Sequence, residues 1–191
     1  MADIELQLQA QIDNLRESLS VEVKNWLNGL AGNADKANLA KEIIALANHG
    51  GGFVFIGFED AEPHATIPPA VGQLEAFGQD AIAGIVNAYI NPPFQCDVHF
   101  LRRQGEEVSH PVIVVPGGHR TPVFARRGGP NNEIVQTNDV YLRRPGGASE
   151  AALTQDDWEK LLDRLVKARQ ADQLDAIRGI LNPQPLAPTQ D

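Results

Sequence analysis

The chain has 191 residues, and its 42% hydrophobic content suits one folded domain and excludes a disordered polar chain. Its net charge of −9 argues against a strongly basic nucleic-acid-binding protein, and its single cysteine, Cys96, excludes an intrachain disulfide. The N-terminus lacks the pattern of a secretory signal, and no apolar run approaches the ~20 residues of a membrane helix. We therefore expect a soluble, cytoplasmic protein with no membrane partner.

Hydrophobic periodicity predicts helices and strands that mix along the chain. In chain order, the predicted elements are a helix over 4–15, a strand over 19–24, a helix over 36–48, a strand over 53–58, a helix over 75–90, strands at about 95–102, 108–115, 122–126 and 139–143, and a helix over 155–181. Asp35 is the predicted cap of the second helix, and the glycines at 50–52 end it because glycine adopts the left-handed conformation at little cost. The next strand, FVFIGF, is apolar almost throughout, which predicts that both of its faces are covered.

The mixture of strands and helices without strict alternation favours an α+β fold over a doubly wound sheet. We expect a mixed, mainly antiparallel sheet packed with helices, followed by a C-terminal helix whose apolar residues share one face. The predicted domain covers residues 1–153, and residues 154–191 form the C-terminal helix and a disordered tail.

Positive charge is concentrated in residues 98–148, which carry seven arginines and four acidic residues. Six of the arginines occur in adjacent pairs, and neighbours on a strand face opposite sides of the sheet. Three strands could therefore present a stripe of guanidinium groups to phosphates, although the same pattern also suits solvated charge at a sheet edge. Both interpretations stay open, and the candidate nucleic-acid-binding residues are Arg102, Arg103, Arg120, Arg126, Arg127, Arg143 and Arg144.

Acidic residues of two separate stretches are candidates for a metal site. Glu22 and Lys24 face the same side of the first strand, Glu17 lies just before it, and Glu59 and Asp60 follow the FVFIGF strand. If these strands are neighbours, carboxylates and an ammonium group converge, and this combination suits Mg²⁺ and phosphodiester chemistry. The alternative is that Glu22 and Lys24 form the solvent face of an edge strand.

Three blocks of the sequence match a known pattern in order. They are ESLSVEVK at 17–24, IIALANHGGGFVFIGFED at 43–60, and TPVFARRGG at 121–129 followed by DVYLRRPGGASEAA at 139–152. Together they resemble the Schlafen AlbA_2 family, whose members include prokaryotic regulators. The resemblance implies an α+β domain over residues 1–153 that binds DNA or RNA, in a regulatory or defence role.

The resemblance also implies an alternative function, that of a metal-dependent endoribonuclease. In Schlafen proteins the matching acids form a metal-dependent RNA-cleaving site, so the implied catalytic residues are Glu17, Glu22, Lys24 and Asp60. The implied ligands of Mg²⁺ or Mn²⁺ are Glu17, Glu22, Glu59 and Asp60. A third hypothesis rests on the acidity of the chain and its amphipathic terminal helices, which suit a homo-oligomer or an interaction subunit of a larger assembly.

Overall fold

The computed structural model describes residues 2–181. These residues contain four α-helices and eight strands, joined by turns and loops. The helices are α1 (Ala2–Asp13), α2 (Asn33–His49), α3 (Gln79–Tyr89) and α4 (Gln155–Leu181). The strands are β1 (Val21–Lys24), β2 (Gly52–Ile56), β3 (Ile90–Asn91), β4 (Asp97–Arg102), β5 (Ser109–Val115), β6 (Phe124–Ala125), β7 (Tyr141–Arg143) and β8 (Ser149–Ala151). The tail predicted after the last helix, residues 182–191, lies outside the described residues.

Strands β1, β2, β5 and β4 form the main sheet in that order. Strand β1 runs parallel to β2, with Lys24 opposite Ile56, while the β2–β5 and β4–β5 pairs are antiparallel. Two further sheets, β3–β6 and β7–β8, each consist of one antiparallel pair. The predicted α+β class, with its mixed and mainly antiparallel sheet and its C-terminal helix, is therefore confirmed.

Both faces of the main sheet are covered, as the apolar FVFIGF run predicts. Side chains alternate along a strand, so Val54 and Ile56 enter the core shared with α2, while Phe55 packs with Leu8 and Ile12 of α1 on the other face. The sheet therefore lies between α1 on one side and α2 on the other.

Helix α2 is buried on nearly all sides because it lies between the main sheet and the β7–β8 hairpin. Near its end, the Asn48 side chain accepts a hydrogen bond from Val123 N–H (2.9 Å) and donates to the carbonyls of Val123 (2.7 Å) and Tyr141 (3.0 Å). Gly50 then ends the helix in the left-handed conformation, with a φ of 119°. These contacts attach β7 and the segment before β6 to the end of α2.

The start of α2 and two short strands differ from the sequence-based expectation. The residue before the helix is Gly32 and not Asp35, which lies in the first turn, where its charge favours the positive end of the helix. Strands β3 and β8 have two and three residues, too few for hydrophobic periodicity to reveal.

Helix α4 buries a narrower face than its apolar pattern predicts. Leu161 and Leu165 are buried in a small cluster with Val140 of the segment before β7, whereas Trp158 and Leu162 remain 38% and 50% exposed. Only one side of the helix meets the rest of the domain, which leaves the adjacent apolar positions in water. None of the helices in the described range is both long and apolar enough to cross a membrane.

Candidate functional site

Four charged side chains meet between β1, α2 and β7, and we call them the buried charge cluster: Glu22, Lys24, Glu42 and Arg143. Lys24 Nζ lies 2.6 Å from Glu22 Oε1 and 3.5 Å from Glu42 Oε1. The guanidinium of Arg143 bonds to Glu22 and lies 3.3 Å from Glu42 Oε2. Glu22 and Glu42 are 2% and 3% exposed, so two cations balance two carboxylates away from water.

The guanidinium of Arg143 also holds the backbone around the cluster. It donates hydrogen bonds to the carbonyls of Ser18 (2.7 Å) and Val21 (3.0 Å) and to Ser149 Oγ (3.2 Å). The Ser149 hydroxyl in turn donates to Glu42 at 2.5 Å. The Nε atom of Arg143 is buried and has no hydrogen-bond partner among the described residues. One side chain therefore connects the β7–β8 hairpin with both β1 and α2.

The turn between β7 and β8 brings the hairpin close to Glu17 at the edge of the cluster. Gly147 has a φ of 87°, in the left-handed region, and a Cβ at this position would lie 3.2 Å from Glu17 Oε2. Glycine suits this position because it adopts a positive φ without strain, and a side chain here would also require Glu17 to shift slightly. Glu17 Oε1 accepts a hydrogen bond from Val23 N–H at 3.4 Å, which places this carboxylate beside β1.

The pKa values of Glu22 and Lys24 are both raised, but for different reasons. Burial raises the pKa of Glu22, and the neighbouring Glu42 raises it further, against the effect of Lys24 and Arg143. Burial lowers the pKa of Lys24, but Glu42 and Glu22 more than offset this, so its pKa is raised. Lys24 is the most exposed member, with 20% of its side chain accessible. An anion approaching from solvent would therefore meet this ammonium group before either carboxylate.

Three of the seven candidate arginines are used inside the protein. Arg143 belongs to the buried charge cluster, and its side chain has no exposed area. Arg103 lies over the Phe58 ring at 4.8 Å and donates to a carbonyl of α1 at 3.1 Å. Arg144 bonds to both carboxylate oxygens of Asp157, which raises the pKa of Arg144 and lowers the pKa of Asp157. These guanidinium groups make contacts within the protein; that of Arg143 is inaccessible to phosphates, whereas the side chains of Arg103 and Arg144 are 17% and 30% exposed.

Two exposed arginines have a carboxylate partner on the surface. Arg120 Nη2 lies 2.6 Å from Asp172 of α4, and Arg102 Nη1 lies 3.9 Å from Glu107. The two arginine side chains are 66% and 64% exposed, so these pairs contribute little stability and can be replaced by other partners.

Arg126 and Arg127 are exposed and have no carboxylate partner within the described part of the chain. Arg126 donates to the carbonyl of Asn87 at 3.3 Å, and the Arg127 guanidinium lies 5.3 Å from the centre of the Tyr89 ring. Both contacts place the arginine pair beside the C-terminal end of α3. The three arginine pairs thus form no continuous stripe of free guanidinium groups. The members of the other two pairs, at 102–103 and 143–144, are buried or paired with acidic residues.

The family model for Schlafen, AlbA_2 matches residues 17–152, a range that holds every member of the buried charge cluster. The chain belongs to the Schlafen AlbA_2 family. The family resemblance of the three sequence blocks is therefore confirmed. No curated protein matches the chain.

Two solved structures are similar to this Schlafen AlbA_2 chain. The DIP2311 protein from Corynebacterium diphtheriae has a TM-score of 0.57 and 16% sequence identity, over 85% of this chain and 29% of that one. The N-terminal domain of a RecG-related protein from Nitrosomonas europaea has a TM-score of 0.46 and 16% identity, over 78% of this chain and 93% of that one. The first similarity supports the fold, and this chain spans less than a third of the length of the DIP2311 chain.

The Schlafen AlbA_2 domain brings together only part of the predicted acidic site. Glu22 and Lys24 lie in the buried charge cluster and Glu17 lies at its edge. Glu59 and Asp60 are exposed in the loop after β2, and neither forms an ion pair with the cluster among the described contacts. The interpretation of Glu22 as part of a solvent-exposed face is wrong. Strand β1 is an edge strand, but residues of the β7–β8 hairpin and of α2 cover the face that carries Glu22, so this side chain is buried.

These side chains, as arranged, do not fit a Mg²⁺ or Mn²⁺ ion. Within the described residues, no group of three or more His, Cys, Asp or Glu side chains could hold a metal ion. The physical reason lies in the cluster, where the carboxylates of Glu22 and Glu42 are already paired with Lys24 and Arg143. The positive charges of Lys24 and Arg143 beside these carboxylates repel a metal ion.

Glu42 and Ser149 are not among the site residues predicted from the sequence. One signal for Glu42 is present: it directly precedes the apolar run IIALA on a helix that is otherwise buried. A charged residue in such a position is rarely buried unless it is paired. Nothing local indicates its partners, because Arg143 lies 101 residues further along the chain.

Proposed function

We propose that this Schlafen AlbA_2 domain binds nucleic acid through the exposed pair Arg126 and Arg127 and does not cleave it. The observation that carries the proposal is that both guanidinium groups lack a carboxylate partner in the described chain, although the protein has a net charge of −9. Family membership supports a role related to nucleic acid. Free guanidinium groups suit phosphates because they can donate two parallel hydrogen bonds to one anion.

Arg102 and Arg120 contact phosphates only when their surface ion pairs open. Exchange of a solvated carboxylate for a phosphate costs little, because exposed ion pairs contribute about 0–1 kcal/mol. The remaining candidates, Arg103, Arg143 and Arg144, support the fold beneath the interface and contribute no direct phosphate contact.

The test is fluorescence anisotropy with a labelled RNA of about 20 nucleotides, the same sequence as DNA, and its duplex, at about 50 and 200 mM KCl. Replacement of both residues, Arg126→Gln with Arg127→Gln, is expected to lower the affinity at least tenfold. It should also reduce the slope of log affinity against log salt by about 1.5, the value for two lost phosphate contacts. The matched control, Arg178→Gln, removes an exposed arginine that is paired with Asp175 and lies outside the candidate set, and it should have a small effect. Absence of wild-type binding to all three probes at low salt would contradict the proposal.

A metal-dependent endoribonuclease is the second candidate function. The observation in its favour is that Glu17, Glu22 and Lys24 lie together, in agreement with the site that the family resemblance implies for Mg²⁺ or Mn²⁺. The exposed position of Asp60 provides a clean test, because Asp60→Asn leaves the fold intact. We expect no cleavage of structured RNA with either metal. Metal-dependent cleavage that is lost in Asp60→Asn would establish this second function instead.

An interaction role through the terminal helices is the third candidate. Helix α4 exposes Trp158, Leu162 and Val166 on one side and Leu174 and Ile177 further along, which suits a homo-oligomer or a partner protein. Light scattering of the wild type and of Leu162→Gln measures this directly. A monomer at high concentration in both proteins would contradict self-association.

We also infer a cytoplasmic setting for the protein. The thiol of Cys96 is 2% exposed, and burial raises its pKa to about 12, so it is an unreactive part of the core. A chain stabilised without disulfides is compatible with a reducing compartment. Fractionation of cells that express the tagged full chain would test this setting.

A further inference from the structure

A cleft of about 420 Å³ opens between the start of α2, the side of α3 and the turn around residues 27–30. It lies apart from the buried charge cluster, none of whose members lines it. Two of its lining residues are cations, Lys36 of α2 and Arg127 of the arginine pair. We call it the Lys36–Arg127 cleft.

The cleft is positive although the protein is acidic. None of its lining residues is Asp or Glu. Lys36 is half-buried and Arg127 is exposed, and neither has a carboxylate within ion-pair distance in the described part of the chain. Cations that line a concave surface raise the local concentration of anions, since the low-dielectric walls focus their field.

The wall formed by α3 carries no charged residue. It presents small residues, and a Cβ placed at Gly84 would meet no atom within 4 Å. Ile85 and Tyr89 also line the cleft but are only 4% and 2% exposed, and the Arg127 guanidinium lies over the Tyr89 ring, 5.3 Å from its centre. A planar group can therefore enter beside Gly84 and approach the guanidinium plane of Arg127, which is a stacking surface used for unpaired bases.

We propose that the Lys36–Arg127 cleft receives one unpaired nucleotide of a single strand or loop. The base lies against the Gly84 face of α3, and the phosphate lies between Lys36 and Arg127. This inference rests on the proposed nucleic-acid binding and specifies its ligand. A base within a duplex would first have to unstack and unpair, which costs free energy. A base in a single strand is already unpaired, so this cost is smaller. The domain therefore prefers single-stranded nucleic acid to intact duplex.

The test fills the cleft without removing a charge. Gly84→Leu places a side chain in the open space, and leucine also forms helices better than glycine, so α3 is retained. Asn87→Leu is the matched control, because Asn87 is an exposed residue of the same helix that does not line the cleft. The probes are a labelled 12-nucleotide RNA without secondary structure and the blunt duplex of the same sequence, and the folded state of each variant is checked by thermal unfolding.

We expect the wild type to bind the single strand at least tenfold more tightly than the duplex. Gly84→Leu should abolish this preference, whereas Asn87→Leu should keep it, and Lys36→Gln should lower the salt slope by about 0.7. As a second measurement, a 4-thiouridine strand should crosslink to residues 79–89 in the wild type. Equal wild-type affinity for strand and duplex, or an unchanged preference in Gly84→Leu, overturns the cleft inference and leaves the proposed function intact. Absence of all wild-type binding overturns both.

Discussion

Arg143 is the residue on which the buried charge cluster depends most. It neutralises Glu22 and Glu42 and donates to two backbone carbonyls, with no exposed side-chain area. Removal of one partner from a buried ion pair leaves an uncompensated charge and is strongly unfavourable, even where the intact pair contributes little net stability. The role of Arg143 is therefore structural, and a phosphate cannot reach it.

Arg143→Met is expected to lower the free energy of unfolding by about 3–5 kcal/mol, because the two buried carboxylates then keep only Lys24 and, at 4.0 Å from Glu42, the partly exposed Lys41 as cationic partners. Urea denaturation followed by circular dichroism measures the change. The control is Arg102→Met, which removes an arginine of 64% exposure and should change stability by no more than about 0.5 kcal/mol. A loss below about 1 kcal/mol in Arg143→Met would contradict the assigned role.

His110 is a second buried residue with a defined chemical state. Its ring is fully buried and stacks on Phe58 with 4.0 Å between ring centres. Nδ1 lies 2.9 Å from the carbonyl of Ile56 and donates to it, while Nε2 is buried without a partner among the described residues. Burial lowers the pKa of His110, so the folded protein keeps the neutral ring.

His110→Phe gives a pH-dependent effect on stability. At about pH 7.5 the variant should lose about 1 kcal/mol, because the Ile56 carbonyl loses its donor. As pH falls below 6.5, the ordinary histidine value, the unfolded wild type binds a proton that the folded state excludes, so the wild type is destabilised and the variant's penalty shrinks. Urea denaturation of both proteins from about pH 7.5 to 5.5 measures this change in the free energy of unfolding.

His49 and His119, whose pKa values are also lowered, are present in both proteins, so their contributions to the pH dependence cancel. A constant penalty across this range would contradict a neutral buried His110.

At the scale of elements, the start of α4 shows how local sequence and a distant contact combine. Thr154 Oγ1 accepts from the N–H of Asp157, and the Asp157 carboxylate accepts from the N–H of Thr154 at 3.1 Å. This reciprocal pair is a capping box and can be recognised in the sequence as Thr-x-x-Asp before an apolar run. Arg144 then binds the same carboxylate, which attaches the helix to the β7–β8 hairpin.

Thr154→Ala is expected to destabilise the protein by about 1 kcal/mol, because the first turn of α4 loses its side-chain acceptor. Thr154→Ser keeps the hydroxyl and should retain most of the stability. Thr137→Ala, at an exposed loop threonine, serves as the control for loss of the side chain itself. Thermal unfolding of the three variants gives the comparison, and equal midpoints for Thr154→Ala and the wild type would show that the cap contributes nothing.

At the scale of the whole molecule, the buried and the exposed charges have different surroundings. The carboxylates of Glu22 and Glu42 are buried and paired with cations, whereas Arg126, Arg127 and the half-buried Lys36 have no carboxylate partner in the described chain. The acids Glu59 and Asp60, which the family resemblance assigns to the metal site, remain in water.

Addition of about 5 mM MgCl₂ or MnCl₂ is therefore expected to leave the unfolding temperature within about 1 °C of its value in EDTA. A metal bound at 100 times its dissociation constant would stabilise the fold by about 2.7 kcal/mol, which corresponds to about 5–10 °C for a domain of this size. Differential scanning fluorimetry provides the measurement. A rise of this magnitude that disappears in Asp60→Asn would place a metal at the predicted acids and contradict the interpretation of the cluster.

The sequence by itself determined the longer helices and strands and the α+β class of this protein. Periodicity reveals α2, β2 and α4, the glycine at 50 ends α2, and the FVFIGF strand is covered on both faces as predicted. These features depend on contacts between near neighbours in the chain or on the burial of whole faces, so the pattern of apolar residues is sufficient to predict them. The three blocks within 17–152 also carry the family.

Only the tertiary structure decided what each charged residue does. Arg126 and Arg143 occur in similar pairs, yet the first is exposed and the second is buried against Glu22, 121 residues away in the chain. Alternation along a strand tells which side chains share a face, but it does not tell whether another element covers that face. Here Arg143 of the β7–β8 hairpin and Glu42 of α2 reach this face of β1, so Glu22 is buried and Lys24 is only 20% exposed, while Asp60 is exposed in a loop.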